Sequence, residues 1–244
     1  MRRMLLTAAM ILLLATTAAA ARYDLELDPD LANAQFGTLV REAGMVAAYR
    51  AVAPAEPAGL TGFDIGISAS AVRIDSELWN LALRDNDAPD YLAVPRIQVR
   101  KGLPFGIDVG ASYATVVDSD IELFGAEVQY ALLEGSTVTP ALVVRGSYST
   151  LRGVDELDLE TYAADASISK GIAMFTPYAG IGVVRIEGEY KGDETDLQNR
   201  LTKQTFNEVR YFGGVQISLA LLRLTLDAEY SRFPIYSAKI SLGW

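Results

Sequence analysis

Residues 222–244 read LRLTLDAEYSRFPIYSAKISLGW, and their alternation decides the fold. Leu222, Leu224, Leu226, Ala228 and Tyr230 fall on one face of an extended chain, with Arg223, Thr225, Asp227, Glu229 and Ser231 on the other. After Phe233 and Pro234 the chain returns with Tyr236, Ala238, Ile240, Leu242 and Trp244 on the apolar face, and Ser237, Lys239, Ser241 and Gly243 opposite. Side chains alternate across a strand, so this is a hairpin with one aliphatic and one charged face. An aliphatic wall that carries Tyr and Trp near its ends suits lipid, and the charged face then looks into a lumen.

The pattern recurs upstream. Phe63–Ala71, Tyr91–Arg100, Ile107–Tyr113, Phe124–Tyr130, Leu142–Tyr148, Tyr162–Ser169, Tyr178–Glu187 and Val209–Leu219 all alternate, although the phase is lost ahead of Tyr162. With the final hairpin these make about ten strands, an even number that returns both ends of a closed antiparallel barrel to one side; the pattern leaves eight or twelve open as well. Short connections at 101–104, 134–136, 170–174 and 220–221 alternate with others, two of which, 75–90 and 191–203, are long and polar. Short turns on the periplasmic side and longer outer loops are the asymmetry expected of such a barrel. A soluble sandwich or lipocalin-type barrel would alternate too, with its apolar face inward. The terminal aromatic, the 12 tyrosines and an export-type leader decide for the membrane.

That leader is residues 1–21: Arg2 and Arg3, an apolar run from Leu5 to Leu14, then small residues to Ala21, as in a cleavable signal peptide. Its removal takes two cations from a chain whose formal charge is already −10, so nucleic acid is excluded as a partner by repulsion. There is no cysteine, hence no disulfide, thiolate metal site or lipidated terminus. Domain organisation follows: a signal peptide at 1–21, an N-terminal plug or periplasmic segment at 22–61, and the barrel at 62–244. Within the middle segment, Leu31–Val52 is predicted as one amphipathic helix, opened by Asp28 and Pro29, with Phe36, Leu39, Val40, Ala43, Val46 and Tyr49 or Arg50 at helical spacing. Pro54 and Pro57 end it, and Gly59 and Gly62 lead into the first strand.

Two resemblances follow from these residues. The alternation closing on Trp244 resembles the last strand of bacterial outer-membrane β-barrel proteins, which implies an outer-membrane location among its lipids and reading of Trp244 by the barrel-assembly machinery as an assembly signal. The stretch from Ala43 to Leu60, with its run Glu56-Pro57-Ala58-Gly59-Leu60, is similar to the N-terminal hatch of the FadL-like hydrophobic-compound transporters. That family usually has Asn where Glu56 stands, and its barrels are larger. The likeness implies a lumen plug and a small or hydrophobic ligand; the residues alone fit a helix packed on the periplasmic rim equally well.

Chemistry is sparse. Outer-membrane barrel hydrolases rely on a histidine base, and this chain has none, so catalysis is not expected. No cofactor motif is present: the glycines at 180–182 and 213–214 lie within strands rather than between a strand and a helix. Asp85, Asp87 and Asp90, and Asp193, Glu194 and Asp196, read as solvated acidic loops rather than a calcium site, because no spaced loop motif accompanies them. The informative set is the inward one: Arg96, Arg100, Arg145, Arg185, Arg210, Arg223 and Lys239 against Asp108, Glu127, Asp165, Glu187, Glu208, Asp227 and Glu229. Such a balanced set is expected to pair across a narrow lumen, since unpaired charges there are costly. The same ladder could hold a small zwitterionic or anionic solute, but ion-pair networks are the commoner cause of such clusters. The expected function is a narrow or gated conduit for small or hydrophobic compounds, with a non-transporting barrel that anchors loops or a partner as the alternative.

Overall fold

The computed structural model describes residues 27–82, 88–115 and 121–244; the leader and the acidic residues Asp85 and Asp87 lie outside them. Strands form wherever the period-two pattern runs: β1 (Phe63–Arg73), β2 (Tyr91–Gly102), β3 (Ile107–Thr115), β4 (Glu122–Glu134), β5 (Ala141–Arg152), β6 (Leu157–Ser169), β7 (Phe175–Tyr190), β8 (Gln204–Leu219), β9 (Leu222–Tyr230) and β10 (Pro234–Gly243). Each pairs antiparallel with its sequence neighbour, and β1 closes on β10 through nine residue pairs from Asp64↔Gly243 to Val72↔Ile235. The chain is therefore an all-β closed antiparallel barrel of ten strands. Closure leaves no open sheet edge, which is the condition for a sheet to cross lipid. At the seam Trp244 stacks edge-on against Phe63, ring centroids 4.1 Å apart, and its backbone N–H donates to the Phe63 carbonyl at 3.2 Å.

The outer wall is aliphatic. Ile65, Ile67, Ile97, Val99, Val128, Ile181, Val183, Leu226 and Leu242 all point outward and are about half exposed. Tyr130, Phe175 and Trp244 mark the end with the short turns, and Tyr91, Tyr113, Phe124, Tyr148, Tyr162 and Tyr230 the other. An apolar band between two aromatic girdles is the surface of a membrane-spanning barrel, since in water so large an apolar patch would drive aggregation.

The lumen is occupied by the arm that precedes β1. Helix α1 (Asn33–Ala47) lies in the half of the barrel nearest the long loops, and the chain from Ala48 descends extended through the other half. Phe36, Leu39, Val40 and Val46 of α1 pack against Val72, Leu123, Leu159, Val184, Ile186 and Ile235 of the inner wall. Phe36 and Val40 are fully buried, and each such side chain stabilises the packing by about 1.5–3 kcal/mol over exposure. Two glycines permit the approach. A Cβ on Gly44 would stand 2.2 Å from Ile186 Cγ2, and one on Gly188 of β7 would stand 2.4 Å from Val40 Cγ1, so helix and strand touch backbone to side chain. Two short helices, α2 (Ser76–Trp79) and α3 (Thr195–Arg200), lie in the long loops.

Two expectations need correction. The helix begins at Asn33 and stops at Ala47, five residues short of the predicted Val52, although nothing in the local sequence forces the stop. The carbonyls at its end are taken by arginine and serine side chains, described below, and the chain beyond runs extended among the charged side chains of the lumen. On β7 the predicted facing is inverted: Arg185 and Glu187, expected in the lumen, point outward, and Val184 and Ile186, expected on the lipid face, are buried against α1; lower on the strand Tyr178, also expected outward, turns into the lumen to meet Asp227. Above the aromatic girdle the outside is water and the inside is α1. Polar residues there belong outside, and the strand keeps its phase while the polarity of its faces reverses. The same reversal explains the phase lost ahead of Tyr162, where Leu157 and Leu159 point in and Asp158 and Glu160 point out.

Candidate functional site

The half of the lumen beneath α1 is a charge network. Glu127, its side chain fully shielded, receives Arg100 at 2.7 Å and Arg145 at 2.9 Å. Asp165 holds both Nε and Nη2 of Arg210, at 2.8 and 2.6 Å. Asp64 takes Lys239 at 2.6 Å, Ser241 at 2.7 Å and Arg223 at 3.4 Å. Glu229 lies between Arg50 of the arm, 3.2 Å away, and Arg210, 3.6 Å away. Tyr178 donates to Asp227 at 2.7 Å, and Asp108 accepts from Gln129 and from the backbone of Ala58, each at 3.1 Å. A buried ion pair stabilises little over an apolar pair of the same shape, but each member is costly to leave alone. The set therefore specifies one arrangement of the lumen.

That arrangement grips the arm. A helix ends with unpaired carbonyls and a partial negative charge, which cations satisfy. Arg96 donates to the carbonyls of Val46 at 2.6 Å and Ala47 at 3.3 Å, and Ser149 donates to Ala47 at 3.0 Å. Arg50 folds back onto the carbonyls of Ala48 and Val46, at 3.1 and 3.3 Å, and onto that of Met45. Lower down, Arg210 reaches the Tyr49 carbonyl at 2.9 Å and Gln98 that of Arg50 at 2.6 Å. On its polar side α1 is fixed by Arg41, which pairs with Glu208 at 2.7 Å and lies 4.3 Å over the Phe206 ring.

The other half of the lumen has the opposite character. Between α1 and the walls of β2, β4, β5 and β6 lies an apolar slot lined by Leu39, Ala43, Val46, Trp79, Leu92, Val94, Leu123, Leu151 and Leu159, with about 70 Å³ of free room. Water's share of liquid volume is about 30 Å³, so the slot admits a few carbon atoms. Its walls lack the polar partners that would hold water. Pro89 and the outward-facing Ala93 border it as well, which brings it to the outer wall of the barrel. There the β2–β3 ladder stops at Ile97↔Tyr113, and among the described residues nothing on the β3 side pairs with Tyr91–Arg96. Pro95 stands in that stretch, without an N–H to give to a ladder. The slot thus reaches the outer wall beside Ala93, at the level of the loop-end girdle.

Of the residues marked by the sequence as a lumen network, Arg96, Arg100, Asp108, Glu127, Arg145, Asp165, Glu208, Arg210, Arg223, Asp227, Glu229 and Lys239 face the lumen and meet one another, the arm, Gln129, or the further lumen residues Asp64 and Tyr178. Arg185 and Glu187 do not: they pair outside the barrel at 2.7 Å, where Lys203 joins Glu187 at 2.8 Å and that hydrogen bond holds the lysine above its ordinary pKa. Arg50, Asp64 and Tyr178 were missed as members. Asp64 was legible from the polar face of β1, whereas Arg50 required knowing that the arm is inside. The apolar slot left no trace in the alternation, which assigned aliphatic residues to lipid.

Comparison with known proteins adds the following. No curated protein matches the chain. Among solved structures, the KdgM porin is similar at 9% identity over 74% of this chain and 99% of its own, with a TM-score of 0.37. Ail, the attachment invasion locus protein of Yersinia pestis, in complex with the heparin analogue sucrose octasulfate, is 13% identical over 75% of this chain and 94% of its own, at 0.27. Omp33, an outer-membrane protein of Acinetobacter baumannii, is 9% identical over 76% and 100%, at 0.32. At such scores the likeness carries no weight beside the closed strand order itself. The similarity of residues 43–60 to the FadL-like hatch finds no support in these matches. A family profile matches residues 82–244, from the first long loop through β10, and on that match the chain belongs to DUF6588, a family of unknown function.

Proposed function

We propose that this protein resides in the bacterial outer membrane, delivered there by a signal peptide at residues 1–21, and takes small apolar compounds from the outer leaflet into the slot beside α1. The slot carries this reading. It is apolar, lies between α1 and the inner wall, and reaches the outer wall of the barrel beside Pro89 and Ala93. Onward passage requires the arm to yield, because the extended chain and the ion pairs that grip it lie across the lumen below; the protein is then a gated conduit.

Trp79 lines the slot, and the only other tryptophan, Trp244, sits at the opposite end of the barrel, so fluorescence tests the reading. With Trp244→Phe in detergent, a small bromoalkane such as bromoethane is expected to quench Trp79 saturably. Ala43→Leu places three further carbon atoms in a slot with about 70 Å³ of free room and is expected to abolish the saturable part. Linear quenching of the same size in both proteins would mean that the slot takes nothing.

The filled lower lumen favours a second reading, a barrel that transports nothing and anchors its outer loops or a partner. Linear quenching would move the assignment there. In both readings Trp244 serves as the signal for barrel assembly; its deletion is expected to reduce the heat-modifiable barrel in outer-membrane fractions, and undiminished insertion would remove that role.

A further inference from the structure

We infer that the amino-terminal arm runs the full length of the lumen and presents its Leu27–Asp30 end at the cell surface. The inference rests on the outer-membrane placement above and goes beyond it, since a plug could as well stay within the barrel without reaching the surface.

The arm's path is fixed at both ends and along its length. At the end with the short turns, Lys101 donates to the carbonyls of Leu60 and Gly62 at 2.6 and 3.0 Å, immediately before β1 begins. Midway, Arg210 and Arg96 hold Tyr49 and Val46. At the far end three successive residues meet three different long-end loops. Leu27 N–H donates to Glu156 at 2.9 Å, Asp28 N–H to the Leu81 carbonyl at 2.9 Å, and Arg200 to the Pro29 carbonyl at 2.9 Å. Asn33 then accepts from Thr202 and Gln204 at 3.0 and 3.1 Å. Leu27 is 4% exposed among these loops, while Pro29 and Asp30 already face solvent. The arm thus spans the whole barrel. Its covalent tether is at the short-turn end, and its free end comes out among the loops.

Which end faces the surface follows from the connections: short turns belong to the periplasm and long loops to the exterior. The chain has no cysteine, so one introduced thiol is a unique label site. Asp30→Cys marks the arm's outer end, Asp193→Cys an exposed loop of the barrel, and Val138→Cys, at 86% exposure, the β4–β5 turn at the opposite end. Each full-length variant is expressed and treated on intact cells with a bulky, membrane-impermeant maleimide, then again after lysis. Asp30→Cys and Asp193→Cys are expected to label as fully on intact cells as after lysis, and Val138→Cys only after lysis. Labelling of Asp193→Cys without Asp30→Cys overturns the threading and leaves the membrane placement standing. If neither labels on intact cells, both the threading and the surface orientation fail. If Val138→Cys alone labels, the barrel is inverted and the arm's free end is periplasmic.

Discussion

Replacing Glu127 with alanine is expected to destabilise the barrel by about 3–5 kcal/mol, the cost of breaking a buried ion pair from one side. Glu127 is shielded from solvent and is shared by Arg100 and Arg145, so its removal strands two guanidinium groups in one narrow space. The carboxylates around them are already engaged: Asp165 holds Arg210, Asp64 holds Lys239, and Asp108 accepts from Gln129 and the Ala58 backbone. Urea titration in detergent micelles, followed by the loss of strand signal, measures the effect. A change below about 1 kcal/mol would put the pair in the range of exposed salt bridges and would mean that the lumen is wet.

A second large effect is expected at Gly44. Valine there would drive its Cβ into Ile186, at 2.2 Å from Cγ2, and the flanking backbone of β7 is held by its ladders to β6 and β8. The helix has to move instead. Overpacking of this kind costs about 1–3 kcal/mol in a well-packed core, but the larger consequence is geometric: as α1 leaves β7, the carbonyls of Val46 and Ala47 leave Arg96 and Ser149. In planar lipid bilayers the unaltered protein is expected to carry no steady current and Gly44→Val to show discrete conductance steps. Equal silence from both, with Gly44→Val demonstrably inserted and heat-modifiable, would show that the seating of α1 does not control the water path.

The strand count was legible because lipid is a uniform solvent: for as long as a strand crosses it, every outward position is apolar and the period of two is unbroken. Arg185 and Glu187 were misplaced for the same physical reason, carried too far. Alternation reports which face meets the more polar surroundings, and at the level of Val184 and Ile186 those surroundings are outside the barrel. The ion pairs were legible as a class from the sequence, as inward charges of both signs. Their partners were not, because Arg50, Arg96 and Arg210 spend much of their hydrogen bonding on the backbone of the arm, and nothing in residues 48–58 announces an extended chain inside a barrel. The slot was invisible for a related reason. Leu92, Val94 and Leu123 look inward at a helix whose place in the lumen only the tertiary structure fixes.

A strand order closed into a ring around its own N-terminal arm also dictates an order of events. The arm precedes every strand in the chain, and it lies inside a ring whose last hydrogen bonds join β1 to β10. Once that seam is shut, α1 would have to pass through the ion pairs that cross the lumen below or between the loops that hold Leu27–Pro29 above. The sheet must therefore curl around an arm already lying along its inner face. The final strand, with Trp244 against Phe63, works as the clasp of a ring fastened over a thread, and the arm has to be in place before it closes.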